Sequence, residues 1–155
     1  MLERTGDPSK GIPSHYAALC RAAGGDMVYV GGPATATINI WERSVPDIIG
    51  AHEIILGEPG KPFPKLWRSL VSQGVRDVKK ARPGPRERHF KAWLAQQAEN
   101  TKRSRVERDI LREMAATLEP YVYTETDEGD IPGEFAEIFD GASTVDWDSH
   151  LLVVN

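Results

Sequence analysis

The chain has 155 residues, a net charge of −4, and 40% apolar against 27% charged residues. This is the composition of one folded globular domain, and it excludes a disordered or fibrous chain. The single cysteine, Cys20, excludes an internal disulfide framework and any cysteine-rich zinc module, and no apolar run approaches the ~20 residues of a membrane helix.

The first ten residues, MLERTGDPSK, are charged and lack an apolar stretch, so no secretory signal is expected. The expected location is the cytoplasm, or a particle assembled there.

Residues 1–13 carry Gly6, Pro8, Gly11 and Pro13 and read as an extended arm. Ser14 is placed to cap a short helix running to Ala23, with Tyr16, Leu19, Cys20 and Ala23 as its apolar stripe. Met27 to Val30 reads as a strand. Ala34 to Trp41 then alternates with a period of two, the clearest strand pattern in the chain, and Gly31-Gly32-Pro33 between them suggests a hairpin.

Ser44-Val45-Pro46-Asp47 has the residues of a helix start, and that helix is predicted to run to about Leu56 and stop at Gly57. From Pro64 to Lys80, Phe63, Leu66, Trp67, Leu70, Val71, Val75 and Val78 share one helical face, and Gly74 permits close helix approach. Arg82-Pro83-Gly84-Pro85 breaks the chain. Residues 86–118 form a long helix or two, with apolar patches at Phe90, Trp93 and Leu94 and at Val106, Ile110, Leu111, Met114 and Leu118. The patches do not share a face, so a break near Asn100 is expected.

Tyr121 to Thr124 reads as a short strand, residues 125–134 as an acidic loop, Glu134 to Phe139 as one helical turn and Trp147 to Val154 as a final strand. The fold class is therefore α+β: a single domain over 1–155, with a short antiparallel sheet of about four strands and four or five helices.

Charge is segregated along the chain. Residues 61–112 hold 15 Lys/Arg against 5 Asp/Glu, residues 113–155 hold 11 Asp/Glu and no Lys/Arg, and residues 1–60 hold 4 and 7. A basic helical region thus precedes an acidic C-terminal region. Either the acidic region folds over the basic one and neutralises it, or the basic face is left for an anionic partner.

The candidate binding residues are Lys65, Arg68, Arg76, Lys79, Lys80, Arg82, Arg86, Arg88 and Lys91, followed by Lys102, Arg103, Arg105 and Arg108. Arg103 and Arg105 lie in a polar stretch without an evident core face. Trp67, Phe90 and Trp93 are interleaved with these cations, but helical spacing puts them on apolar faces, as core rather than as a stacking platform for bases.

Catalytic patterns are weak. His52-Glu53 begins like a metalloprotease helix, but Leu56 stands where the second histidine belongs. Asp146, Asp148 and His150, spaced by two, would share one face of a strand and could take a hard metal, or could simply be solvated. The run Glu125, Asp127, Glu128, Asp130 departs from calcium-loop spacing. There is no phosphate-binding glycine motif and no nucleophile elbow, Cys20 has no local activator, and no cofactor is implied.

The leading expectation is a non-catalytic interaction or assembly module whose basic helical face binds an anionic partner. That partner would be an acidic protein surface, including that of another subunit of the same chain in a homo-oligomer. A nucleic-acid-binding regulator or packaging factor is the first alternative. A small metal-dependent nuclease or hydrolase using Asp146, Asp148 and His150 is the second.

Overall fold

The computed structural model describes residues 26–28, 36–127, 129–144 and 152–154. The chain divides into two compact units. One is Asn39–Ala142. The other holds the chain to either side, where strand β1 (Asp26–Val28) pairs in parallel with β4 (Leu152–Val154), Asp26 opposite Leu152 and Val28 opposite Val154. In that unit the Thr144 N–H donates to the Thr37 carbonyl at 3.0 Å, and the Thr37 N–H donates to Thr144 Oγ1 at 2.9 Å. The expected N-terminal arm and the helix over 14–23 lie outside the described residues.

The central unit is built from helices. A 3-10 turn (Ile40–Glu42) leads to α1 (Val45–Leu56), α2 (Lys65–Ala81), α3 (Glu87–Ala98) and α4 (Arg105–Thr117). A second 3-10 turn (Glu119–Tyr121), the hairpin of β2 (Tyr123–Thr126) and β3 (Gly129–Pro132), and the single-turn α5 (Ala136–Phe139) follow. The class is α+β, but among the described residues no single antiparallel sheet of about four strands forms. The described strands pair two by two, β1 with β4 in parallel and β2 with β3 antiparallel.

The helix boundaries follow local chemistry. Ser44 caps α1: its Oγ accepts the Asp47 N–H at 3.4 Å and donates to Asp47 Oδ2 at 2.7 Å. The break between α3 and α4 falls at 99–104, as expected near Asn100, whose carbonyl accepts the Arg103 N–H and whose Oδ1 accepts the Lys102 N–H. Ser104 and Glu107 then form a reciprocal capping box that starts α4.

Three expectations are overturned. Residues 36–41 are not a strand: Asn39 Oδ1 accepts the Trp41 N–H at 3.1 Å and closes a 3-10 turn in place of a ladder. β1 pairs with β4, not with that segment. The acidic stretch 125–134 is largely hairpin, with β3 paired along β2.

The core joins Ile48, Leu70, Val71, Val75, Phe90, Leu94, Leu111, Met114 and Leu118, so the two apolar patches of 86–118 meet across an α3–α4 hairpin. Leu66 and Val106, placed by periodicity on apolar faces, are exposed instead, Val106 by 62%.

Gly74 is where α2 meets α3. A Cβ there would lie 2.6 Å from Phe90 Cε2 and 2.7 Å from Trp93 Cε3, atoms of rings packed 6.2 Å apart and nearly parallel. Gly74→Ala is expected to lower the unfolding midpoint, because overpacking of about 1–3 kcal/mol outweighs the roughly 1 kcal/mol gained in helix propensity. Thermal unfolding followed by circular dichroism measures it.

A candidate anion-binding face

Beneath the basic region lies a buried polar cluster. Glu87, in the first turn of α3, is 1% exposed and His52 of α1 is fully buried. Glu87 Oε2 accepts the Trp41 indole N–H at 2.9 Å, and its Oε1 lies 2.8 Å from His52 Nε2. His52 Nδ1 is 2.8 Å from the Ile48 carbonyl. A carbonyl only accepts, so Nδ1 donates to Ile48, and Nε2 faces the Glu87 carboxyl group. Burial disfavours the charged ring, but the negative charge of Glu87, the bond to it and the Ile48 carbonyl together outweigh that and raise the imidazole above its ordinary value. His52 is thus a core histidine, fully enclosed and without access for a substrate.

Asp140, also buried, is a second anchor. It accepts from the Arg88 N–H at 3.0 Å, from Arg88 Nε at 2.7 Å and from the Tyr123 N–H at 3.0 Å. Arg88 also meets Asp130 at 3.2 Å and Glu125 at 3.7 Å, with its guanidinium 5.3 Å from the Tyr123 ring centroid. Among the described residues, Arg88 and Lys91, which pairs with Glu119, are the cations of the basic region held by carboxylates of the acidic region.

The remaining candidates separate into three groups. The first is tied locally. Arg68 pairs with Glu53 at 2.6 Å, and Arg105 with Asp109 at 3.7 Å while 89% exposed. Arg103 bonds Gln97 and Gln73 at 3.0 Å, reaches Glu107 at 3.6 Å and lies over Trp93, leaving its side chain 12% exposed. It clamps α2, α3 and α4 rather than forming free surface. Arg108 is half-buried, its Nε without a hydrogen-bond partner.

The second group is the solvent face of α2. Lys65, Arg76 and Lys80 are exposed and have no carboxylate partner among the described residues. At 100° per residue they share one stripe with Lys79, opposite Leu70, Val71, Gly74, Val75 and Val78. Lys102 is likewise exposed, on the turn before α4.

The third group surrounds the loop after α2. Lys79, Arg82 and Arg86 line a cleft of about 400 Å³ with Asn39, Trp41 and Glu42. Prolines at 83 and 85 fix φ, and Gly84 at φ 59° turns the chain between them. Asn39 Nδ2 donates to the Pro85 carbonyl at 3.2 Å, so the loop is pinned from beneath. Lys79 donates to the Arg43 carbonyl at 2.7 Å, and Arg82 and Arg86 have no carboxylate partner among the described residues.

Sequence reasoning missed Glu87, Asn39, Asp140 and the buried role of Trp41. The capping-box spacing Ser104-x-x-Glu107 was a readable signal; for Glu87 and Asp140 none existed, since each bonds residues tens of positions away. Asp146, Asp148 and His150 lie outside the described residues, as does Cys20, and no group of three His, Cys, Asp or Glu able to hold a metal occurs among the described ones. No helix among the described residues is long and apolar enough to cross a membrane.

His52 stabilises the fold in its charged form. A raised folded-state value gives stability that is complete below pH 6.5 and lost as pH rises through that value. The unfolding midpoint of the wild type is therefore expected to fall above pH 6.5, and Glu87→Gln is expected to remove that fall. Glu87→Ala, which leaves His52 buried without its partner, should cost about 3–5 kcal/mol in denaturant unfolding.

Compared with protein-family models, curated proteins and solved structures, the chain matches none, so its functional reading rests on the residues above.

Proposed function

We propose that this chain is a non-catalytic interaction module whose basic face, the α2 stripe together with the loop at 82–86, grips an anionic macromolecular partner. The observation that supports the reading is the incomplete internal compensation of charge. Among the described residues, Lys65, Arg76, Lys80, Arg82 and Arg86 have no carboxylate partner, while the acidic region engages Arg88 and Lys91. Uncompensated like charges on one rigid helix face repel one another, and an external anion relieves that repulsion.

An acidic protein surface fits this face, and the chain itself carries one: Glu125, Asp127 and Asp130 are exposed on the β2–β3 hairpin. Basic-to-acidic contact between copies would make a heterologous, head-to-tail assembly. A nucleic-acid partner is favoured by a different observation, the convergence of two arginines and a lysine on one cleft, since guanidinium forks match phosphate geometry.

The reading predicts retention on polyanionic supports that weakens steeply with salt. Arg76→Glu combined with Lys80→Glu should lower the eluting salt concentration on both immobilised polyglutamate and single-stranded DNA. These positions are exposed, so circular dichroism should be unchanged. Wild-type flow-through at low salt, or elution unaffected by the double reversal, would sink the proposal. Sedimentation velocity across a salt series tests the homo-oligomer: mass should fall as salt rises.

A further inference from the structure

Two clefts meet at Arg82. The first is the cationic one at the 82–86 loop. The second, of about 380 Å³, runs between α2 and α3, with Val78, Ala81, Ala92 and Trp93 as apolar lining and Asp77, Arg82, His89 and Gln96 as polar groups. Both volumes fall in the range of about 300–1,000 Å³ common to small-ligand sites.

Their chemistry differs in a complementary way. In the α2–α3 cleft, Trp93 is half-buried and immobilised, backed by Phe90 and held near Arg103. His89 Nδ1 accepts the Arg86 N–H at 2.9 Å, so the neutral ring carries its proton on Nε2 and offers the cleft a donor. Burial, then the positive charge of Arg82, with Arg88 and Arg86, holds this imidazole below its usual value against the opposing pull of Asp140. Asp77 supplies an acceptor, and Gln96 supplies both a donor and an acceptor. An apolar wall edged by mixed donors and acceptors suits a flat heterocycle such as a nucleobase.

In the neighbouring cleft three cations face one carboxylate, Glu42. Arg82 and Arg86 leave the ends of a proline-stiffened loop, so little backbone freedom is lost when their forks close on an anion. Lys79 keeps two of its three donors after the bond to Arg43. This is a phosphate site in its chemistry.

We infer that the paired clefts joined at Arg82 form a nucleotide-binding site, with the base between α2 and α3 against Trp93 and the phosphate between Lys79, Arg82 and Arg86. The inference rests on the reading of this face as an anion-binding surface and narrows it: the ligand is a phosphorylated nucleoside, either free or as one unit of a single strand.

Calorimetric titration with AMP, UMP, adenosine, inorganic phosphate and a short single-stranded oligodeoxythymidylate separates the possibilities. AMP or UMP should bind roughly tenfold or more tightly than phosphate or adenosine, because both clefts are used at once. Arg82→Ala, at an exposed position without a carboxylate partner among the described residues, should weaken binding by roughly tenfold or more. Asp77→Ala with Gln96→Ala should weaken nucleotides and leave phosphate binding unchanged, which a purely electrostatic surface would not do. Binding by AMP indicates a free nucleotide as ligand. Binding by the oligonucleotide alone, sensitive to Asp77→Ala with Gln96→Ala, indicates a strand. The inference is overturned if neither the mononucleotides nor the oligonucleotide bind more tightly than phosphate, or if oligonucleotide binding is indifferent to the Asp77 and Gln96 changes. If polyanion retention persists in that case, the interaction-module reading stands without it.

Discussion

The central unit depends on one carboxylate. Glu87 sits in the first turn of α3, where the helix dipole favours negative charge, and it accepts from Trp41 and His52. Those two residues come from the first 3-10 turn and from α1, so one side chain ties three elements in the interior. The three aromatic rings around it, Trp41, His52 and Phe90, pack within 4.4–5.7 Å of one another and exclude water. In that low-dielectric setting every bond to Glu87 is strengthened, and loss of any partner leaves a buried polar group unsatisfied.

The surface follows from this anchoring. Glu87 and the adjacent Arg88, the latter held by buried Asp140, fix the start of α3 from two sides. The loop at 82–86 is therefore stretched between two fixed helix ends, with Asn39 bonded beneath it. Its arginines are displayed on a rigid frame rather than on a free tether. The same anchoring absorbs negative charge: Asp140 and its neighbours Asp130 and Glu125 converge on Arg88, and Glu119 pairs with Lys91. Among the described residues, Lys65, Arg76, Lys80, Arg82 and Arg86 are left without a carboxylate partner.

That distribution separates structural cations from surface cations. Arg103 is a clamp, with its guanidinium near Trp93 and its donors used by Gln73 and Gln97. Arg76 and Lys80 stand in solvent on α2. Both kinds look alike in a sequence, since a polar stretch without a hydrophobic stripe suits either a solvated face or a packed polar joint. The difference lies in whether another helix passes within reach of the side chain.

Local information determined the helices. The Ser44 cap, the apolar spacing of α2, the break at Arg82-Pro83-Gly84-Pro85 and the interruption near Asn100 are set by residues three or four positions apart, the range over which helix hydrogen bonds and side-chain neighbours act. The segregation of charge and the tight approach at Gly74 were readable for the same reason. Alternation over 36–41 was not decisive, because a strand also needs a partner edge, and the Asn39 side chain captured the Trp41 N–H first. Pairing of β1 with β4, the joining of Trp41, His52 and Glu87, the burial of Asp140 and the identity of the uncovered cations were decided only by the tertiary fold. Each couples positions 17 to 126 residues apart, and nothing in the local sequence encodes which distant group will close such a bond.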